Sequence, residues 1–472
     1  MAAGRSIVSV FVLIFVGGVL LAHFYLWHRL VRGTTGPGRL RKALTLVLAL
    51  LLAVLVATFL GSRVGLDGWF AWGGYVWLAV MFYLVIILAV LEIPRAVAGA
   101  VLRRRARSEA GPRAAVAETV PAAAPVTVPE QAGGGLSENG ARSDEGGLSE
   151  NGARSDGGGS PGNGARPDGG GSPGNGARSD DGGPPEGGAR PAAGEMSRRL
   201  FLGRATAAIA GVSAVGTVAY GMTSALGDPV IEPVEITLPK LDPRLNGLRF
   251  AVVSDIHLGP LTGIGHTERI VRMINGLEAD VVAIVGDLVD GSVARLGRLA
   301  RPLKDLESRY GAFFVTGNHE YFTPEGPQEW IEELDELGVR SLRNERVEIR
   351  HQGAVLDLAG VNDIGGASIG DGPDFDKALG GREEGRSTVL LAHQPIQVAE
   401  AARHGVDLQL SGHTHGGQIA PFNLVVGLQQ PIVSGLATVD GVQVYVTRGA
   451  GFWGPPVRVG APPEITLLEL RS

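Results

Sequence analysis

Arg249-Phe250-Ala251-Val252-Val253-Ser254-Asp255-Ile256-His257 decides how this chain is read. Apolar, largely β-branched residues with no polar alternation read as a strand buried on both faces. This one ends abruptly on an acid and an imidazole. The same construction returns four times downstream. Val281–Val285 runs into Gly286, Asp287 and then Asp290; Ala312–Val315 leads to Gly317-Asn318-His319-Glu320. Thr388–Leu391 leads to His393, and residues 406–410 lead to Gly412-His413-Thr414-His415. Ligand sites in α/β sheets form outside the carboxyl ends of the strands. Five strands therefore bring carboxylates, imidazoles and an amide to one edge of a layered α/β domain.

A carboxylate at the end of an apolar strand is costly to desolvate unless it is paired or holds a metal. No Lys or Arg lies within these five motifs. Asp, His and an Asn oxygen suit divalent ions such as Mn²⁺, Fe²⁺ or Zn²⁺. Asp255, His257, Asp287, Asn318, His393, His413 and His415 exceed the needs of one ion and fit two that share a bridge. Two metals about 3.5–4 Å apart clamp both the attacking and leaving oxygens of a phosphoryl displacement.

In that order, D-x-H, G-D, G-N-H-E, an isolated H and G-H-T-H resemble the calcineurin-like metallophosphoesterases, over residues 248–470. The resemblance implies an α/β fold, a four-layer α-β-β-α sandwich of two mixed sheets flanked by helices. Residues 442–447 and 464–470 would complete the second sheet. It implies that Asp255, His257, Asp287 and His415 bind a first divalent ion, and Asp287, Asn318, His393 and His413 a second. Asp287 is then the bridge and a bridging hydroxide the nucleophile. His319 would protonate the leaving alkoxide or stabilise the phosphoryl charge, and Asp290 would orient His319; a turn residue before Gly291 is the plainer reading of Asp290. Arg448-Gly449-Ala450-Gly451, then Phe452-Trp453 and Pro455-Pro456-Val457-Arg458, is similar to a late segment of a bacterial, membrane-associated group of the YkuE and YaeI type. There Arg448 or Arg458 would neutralise a substrate phosphate, or either would be a structural arginine.

The rest of the chain is different in texture. Residues 7–27, 43–60 and 69–91 carry no charge, and each is long enough to cross a hydrocarbon core of about 30 Å. His23 and His28 read as a polar edge of the first span, and Trp72, Tyr75 and Trp77 as rings at headgroup level. Residues 108–196 are rich in Gly, Pro and Ser, with Gly-Ala-Arg triplets ending at Arg142, Arg154, Arg166, Arg178 and Arg190, a period of twelve. These repeats hold almost no large apolar residue to bury, so they predict a disordered linker. Residues 197–228 open on Ser197-Arg198-Arg199 and continue uncharged from 205 to 227. That pattern fits a fourth transmembrane helix or a twin-arginine-like export signal. The expected organisation is a three-span region at 1–107, the linker at 108–196, the fourth span or signal at 197–228 and the phosphoesterase domain at 229–472.

Charge completes the reading. Arg29, Arg32, Arg39, Arg41 and Lys42 lie between the first two spans, and Arg103, Arg104, Arg105 and Arg107 follow the third. The positive-inside bias places those segments in the cytoplasm and the domain after Asp228 on the extracytoplasmic side of the cell membrane. The domain holds 21 basic and 32 acidic residues against 21 and 16 before it. Such an acidic domain excludes a nucleic-acid partner. With no cysteine, thiolate metal sites and cysteine nucleophiles are excluded too. The expected function is a membrane-tethered hydrolase of a phosphodiester or pyrophosphate bond in an envelope lipid, nucleotide-sugar or wall polymer. The alternative is a metal-binding sensor or interaction protein without turnover. The sequence names no protein partner.

Overall fold

Uncharged apolar stretches become helices and buried apolar runs become strands in the computed structural model, which describes residues 2–64, 70–109, 198–323 and 326–472. The expected linker, apart from its first two residues, and Ser197 lie outside the described residues. Helices α1 (Ala2–Leu26), α2 (Arg39–Val64), α3 (Phe70–Glu109) and α4 (Arg198–Leu226) come first. Leu13–Arg32, Arg39–Gly61, Ala71–Pro94 and Leu200–Leu226 are long and apolar enough to cross a membrane. His23 is not a polar edge. It is buried, and its Nε2 accepts a 3.1 Å hydrogen bond from Trp77 Nε1. Each ring supplies the partner that the other's polar atom needs in apolar surroundings.

The strands follow as β1 (Val230–Thr237), β2 (Arg249–Val253), β3 (Val281–Val285), β4 (Ala312–Val315), β5 (Val339–Ser341), β6 (Glu345–His351) and β7 (Ala354–Gly360). Then come β8 (Thr388–Leu391), β9 (Leu408–Ser411), β10 (Gly435–Val439), β11 (Val442–Val446) and β12 (Glu464–Arg471). Between them lie α5 (Ile264–Asn275), α6 (Val293–Ala300), α7 (Gln328–Glu336), α8 (Phe375–Leu379), α9 (Val398–Arg403) and α10 (Asn423–Val426). They form two six-stranded mixed sheets, ordered β1-β12-β2-β3-β4-β5 and β10-β11-β9-β8-β7-β6.

Period-two alternation builds the layers. Phe250, Val252, Val281, Ala283 and Val285 face Leu356, Leu358, Val389, Leu391 and Leu410 of the other sheet. The intervening Ala251, Val253, Val282 and Ile284 meet Ile270 of α5, Leu299 of α6 and Trp330 of α7. On the far side, Leu390 and Val444 meet Phe375 of α8 and Val398 of α9. Helices, sheet, sheet and helices make the expected four layers.

One strand is placed differently. β12 joins the first sheet, not the second, antiparallel to β2 and parallel to β1 along its whole length. There Leu468 and Leu470 complete the core between the sheets together with Ile236 of β1. Met1–Leu102 and Met196–Ser472 form one compact unit, apart from Arg103–Glu195. The apolar helices and the sandwich therefore pack together.

Candidate metal centre

The carboxyl ends of β2, β3, β4, β8 and β9 converge because all five run parallel to a neighbour within their sheet and the two sheets stack with those ends together. Asp255, His257, Asp287, His413 and His415 all hold left-handed backbone, with φ of 51°, 49°, 51°, 70° and 52°. Non-glycine residues are uncommon there, and the strain of about 1–3 kcal/mol each persists only where the surroundings over-determine it. The surroundings here do so. Asp255 accepts the main-chain N–H of His413 on both oxygens, at 3.2 and 3.0 Å, and Ser254 Oγ donates to Val285 O at 2.6 Å. Gly449 and Gly451 let the late loop lie against the first motif. A Cβ on Gly449 would sit 2.6 Å from Asp255 Cβ, and one on Gly451 would sit 2.1 Å from Ile256 O. Close packing on the β2 loop is thus the physical content of Arg-Gly-x-Gly.

Three groups of potential ligating atoms result, each within 4.8 Å. Asp255, His257 and His415 form one and Asp287, His393 and His413 another, the two ligand groups of the centre; the third, His257, Asp290 and His319, shares His257 with the first. Asp287 Oδ2 lies 3.2 Å from His393 Nε2 and 3.9 Å from His257 Nε2, between the two groups. His257 Nε2 and His415 Nε2 are 3.0 Å apart, and His415 Nε2 is 3.2 Å from Asp255 Oδ1. His393 Nδ1 donates to Val285 O at 2.8 Å, while its Nε2 is buried with no hydrogen-bond partner. Asn318 Oδ1 is likewise buried and unpartnered. Buried polar atoms are ordinarily satisfied. Two orphaned donor atoms beside crowded imidazole nitrogens and carboxylates are what a pair of divalent cations would complete, so the residues fit the metals the motifs imply.

Electrostatics separate the groups. Burial pushes Asp255 up. Burial would also raise Asp287, but the His393 and His319 charges hold it well below the carboxylate range. Burial beside His257 and Arg458 keeps His415 well below the imidazole range, and burial with His393 lowers His413 to about 3. Both stay neutral, with a lone pair free for a cation, whereas His393, its burial outweighed by Asp287 and so raised well above the imidazole range, would release a proton on ligating one. His319 is pushed the other way. Burial is outweighed by Asp287 and Asp290, raising it to about 9.

Asp290 is more than a turn residue. Its Oδ1 accepts from His257 Nδ1 at 2.8 Å and from His319 Nδ1 at 2.7 Å. It thereby fixes which nitrogen of each ring faces the centre. The two arginines go elsewhere. Arg458 is 1% exposed, and its guanidinium donates to the carbonyls of Arg448 at 2.7 Å, His415 at 3.0 Å and Gly449 at 3.2 Å. With its donors satisfied by main chain, it ties the β11–β12 loop to the β9–β10 loop and is not presented to a substrate. Arg448 pairs with Glu464 at 2.9 Å and Glu232 at 3.1 Å.

Glu320, fourth in Gly-Asn-His-Glu, carries a task its position in the motif did not disclose. Its buried carboxylate accepts the N–H groups of Asp287 at 3.1 Å, Leu288 at 2.8 Å, Val289 at 3.3 Å and Gly317 at 2.6 Å. Burial and Asp287 raise its pKa to about 7. The available signal was an acid just past a buried strand with no cation nearby. His351 and His404 lie outside the centre, bonded to Tyr310 and Asp376.

An α-β-β-α sandwich with a paired acid–imidazole centre at its strand ends defines a class of metal-dependent domain. The sequence pattern of the calcineurin-like phosphoesterases matches residues 248–417. An uncharacterised metallophosphoesterase of Aquifex aeolicus is 32% identical over 249 residues, 51% of this chain and 92% of the relative. The chain belongs to the metallophosphoesterase family. A "transmembrane protein with metallophosphoesterase domain" from Danio rerio is 40% identical over 262 residues, 54% of this chain and 60% of that protein. The Bacillus subtilis metallophosphoesterase YkuE is 28% identical, over 59% of this chain and 99% of its own. The chain thus spans about three fifths of the zebrafish relative's length.

Proposed function

We propose that this chain is a membrane-tethered phosphoesterase that holds two divalent cations and hydrolyses a phosphodiester or pyrophosphate bond in an envelope lipid, nucleotide-sugar or wall polymer. The observation that carries the reading is the meeting of two ligand groups at Asp287, with His393 Nε2 and Asn318 Oδ1 left without a hydrogen-bond partner. Asp255, His257, Asp287 and His415 would hold one ion; Asp287, Asn318, His393 and His413 would hold the other. Mn²⁺, Fe²⁺ and Zn²⁺ all suit these donors. When bound, the ions would polarise the phosphoryl group and stabilise the charge building on its oxygens.

The chain's own residues do the rest. Asp290 accepts the Nδ1 proton of His319, and because the flanking carboxylates raise this ring to about 9, its imidazolium form also carries a proton on Nε2, available to the leaving oxygen. That Nε2 lies 4.0 Å from Asp287 Oδ2, at the edge of the centre. The expected test uses the full chain in detergent with bis-p-nitrophenyl phosphate. Dialysis against a chelator should lower hydrolysis by about a hundredfold or more, and added Mn²⁺ should restore it. Restored binding of two ions with no turnover would support the sensor reading instead.

The four apolar helices and the arginine-rich flanks support a multi-pass arrangement with the domain outside the cytoplasm. A reporter enzyme active only outside the cytoplasm, fused after Ser472, is expected to be active. Activity solely of a cytoplasmic reporter at that position would reverse the orientation.

A further inference from the structure

We propose that the segment following Gly-His-Thr-His is seated in the lipid bilayer, and that the phosphoester reaching the metal centre is lipid-anchored and enters along the membrane plane. This rests on the membrane-tethered phosphoesterase reading and narrows its substrate.

Depth comes first. Tyr83 Oη donates to Ala420 O at 3.0 Å, and Ala420 follows His415 by only five residues. Tyr83 lies twelve residues into the apolar segment Ala71–Pro94. At about 1.5 Å per residue that is about 18 Å along a helix whose surrounding hydrocarbon is about 30 Å thick. Ile419, Val457 and Val459 share one apolar cluster with Met81, Leu84 and Val218 of the helices. On α4, Gly221 O accepts from Arg458 N at 2.9 Å, and a Cβ on Gly221 would strike Val457 at 2.5 Å. The loops carrying His415 and Arg458 therefore lie among the apolar helices.

Composition comes second. No Asp, Glu, Lys or Arg occurs from Gly416 to Val439, within a strongly acidic domain. Between Phe422 and Leu428 this stretch turns large side chains outward: Leu424 is 70% and Leu428 84% exposed, with Phe422 and Val425 about half exposed. Contiguous exposed apolar surface marks an interaction site. Continuity with the spanning helices, at the depth of Tyr83, makes acyl chains the occupant.

The rim of the centre points the same way. His319 has the ring of Phe322 at 4.8 Å and that of Trp453 at 6.0 Å, and both side chains are more than half exposed. Trp453 adjoins Gly454, where a Cβ would come within 3.9 Å of the Tyr75 ring on α3. An apolar path thus joins the imidazole that faces the leaving oxygen to the first turns of a spanning helix. A phosphate in the centre would leave its acyl chains along that path.

The chain has no cysteine, so one introduced thiol can be labelled alone. In the full chain reconstituted into phosphatidylcholine–phosphatidylglycerol nanodiscs, a fluorophore attached through Leu428→Cys is expected to be quenched by spin-labelled acyl chains. One attached through Arg350→Cys, on β6 at the sheet end away from the centre, is expected to be quenched little. Equal quenching at both positions would overturn the seat in the bilayer. A second arm compares hexadecyl p-nitrophenyl phosphate in the nanodisc with soluble bis-p-nitrophenyl phosphate. The pair Leu424→Ser and Leu428→Ser is expected to slow the first about tenfold and the second less than about twofold, because remote binding contributes to the first alone. Equal loss on both would overturn the membrane route. If the unsubstituted chain hydrolyses neither probe, the phosphoesterase reading fails while the fluorescence arm still decides the seat.

Discussion

Asp287→Asn is expected to lower hydrolysis of bis-p-nitrophenyl phosphate by about 10³-fold or more, about 4 kcal/mol at 1.36 kcal/mol per tenfold. Measured Mn²⁺ content should fall from two ions per chain to one or none. The amide keeps the shape of the side chain and can still accept the His319 N–H now held at 2.9 Å by Oδ1. What it removes is the one charge positioned between the ligand groups, 3.2 Å from His393 Nε2 and 3.9 Å from His257 Nε2. Deleting one partner of a buried charged set costs about 3–5 kcal/mol, because the others are left uncompensated. Both proposed ion sites would share this carboxylate, so neither would be spared. Equal hydrolysis rates and equal metal content in the variant and the unsubstituted chain, with unchanged circular dichroism, would remove Asp287 from the centre of the proposal.

The parts of this molecule legible in sequence are those with local signatures. Val281–Val285 is apolar at every position, so its burial on both faces and the oddity of Asp287 beyond it are visible without a partner strand. The four helices long and apolar enough to cross a membrane are visible for the same reason, since length and hydropathy are local properties. Non-local consequences were less visible. Whether β12 sits in one sheet or the other depends on which edge is open, and β1 supplies that edge from more than 220 residues away. Arg458 and a substrate-binding arginine have the same one-dimensional signature. Only the carbonyls of residues 415, 448 and 449 closing around it distinguish them. His23 and Trp77 look like interfacial residues until their helices bring them together.

Glu320 is the residue whose loss should most damage the fold around the centre. Glu320→Ala leaves the N–H groups of Asp287, Leu288, Val289 and Gly317 without the acceptor they now share. A buried donor left unsatisfied costs about 1–3 kcal/mol. Even with water entering the gap, a loss on the order of 5 kcal/mol is expected, comparable to the whole stability of many domains. At about 2–4 °C per kcal/mol for a domain of this size, the midpoint of thermal unfolding should fall by about 10–20 °C. Glu320→Gln separates packing from acceptor chemistry. One oxygen remains for two of the donors, while an NH₂ group faces the other two, so a drop of intermediate size is expected. The Asp287 loop would lose its tie to the β4 loop in both variants, so metal retention should weaken in step with stability. An alanine variant that melts and binds Mn²⁺ as the unsubstituted chain does would show that water satisfies these four donors as well as the carboxylate, and that Asp287 is held in left-handed backbone by other contacts.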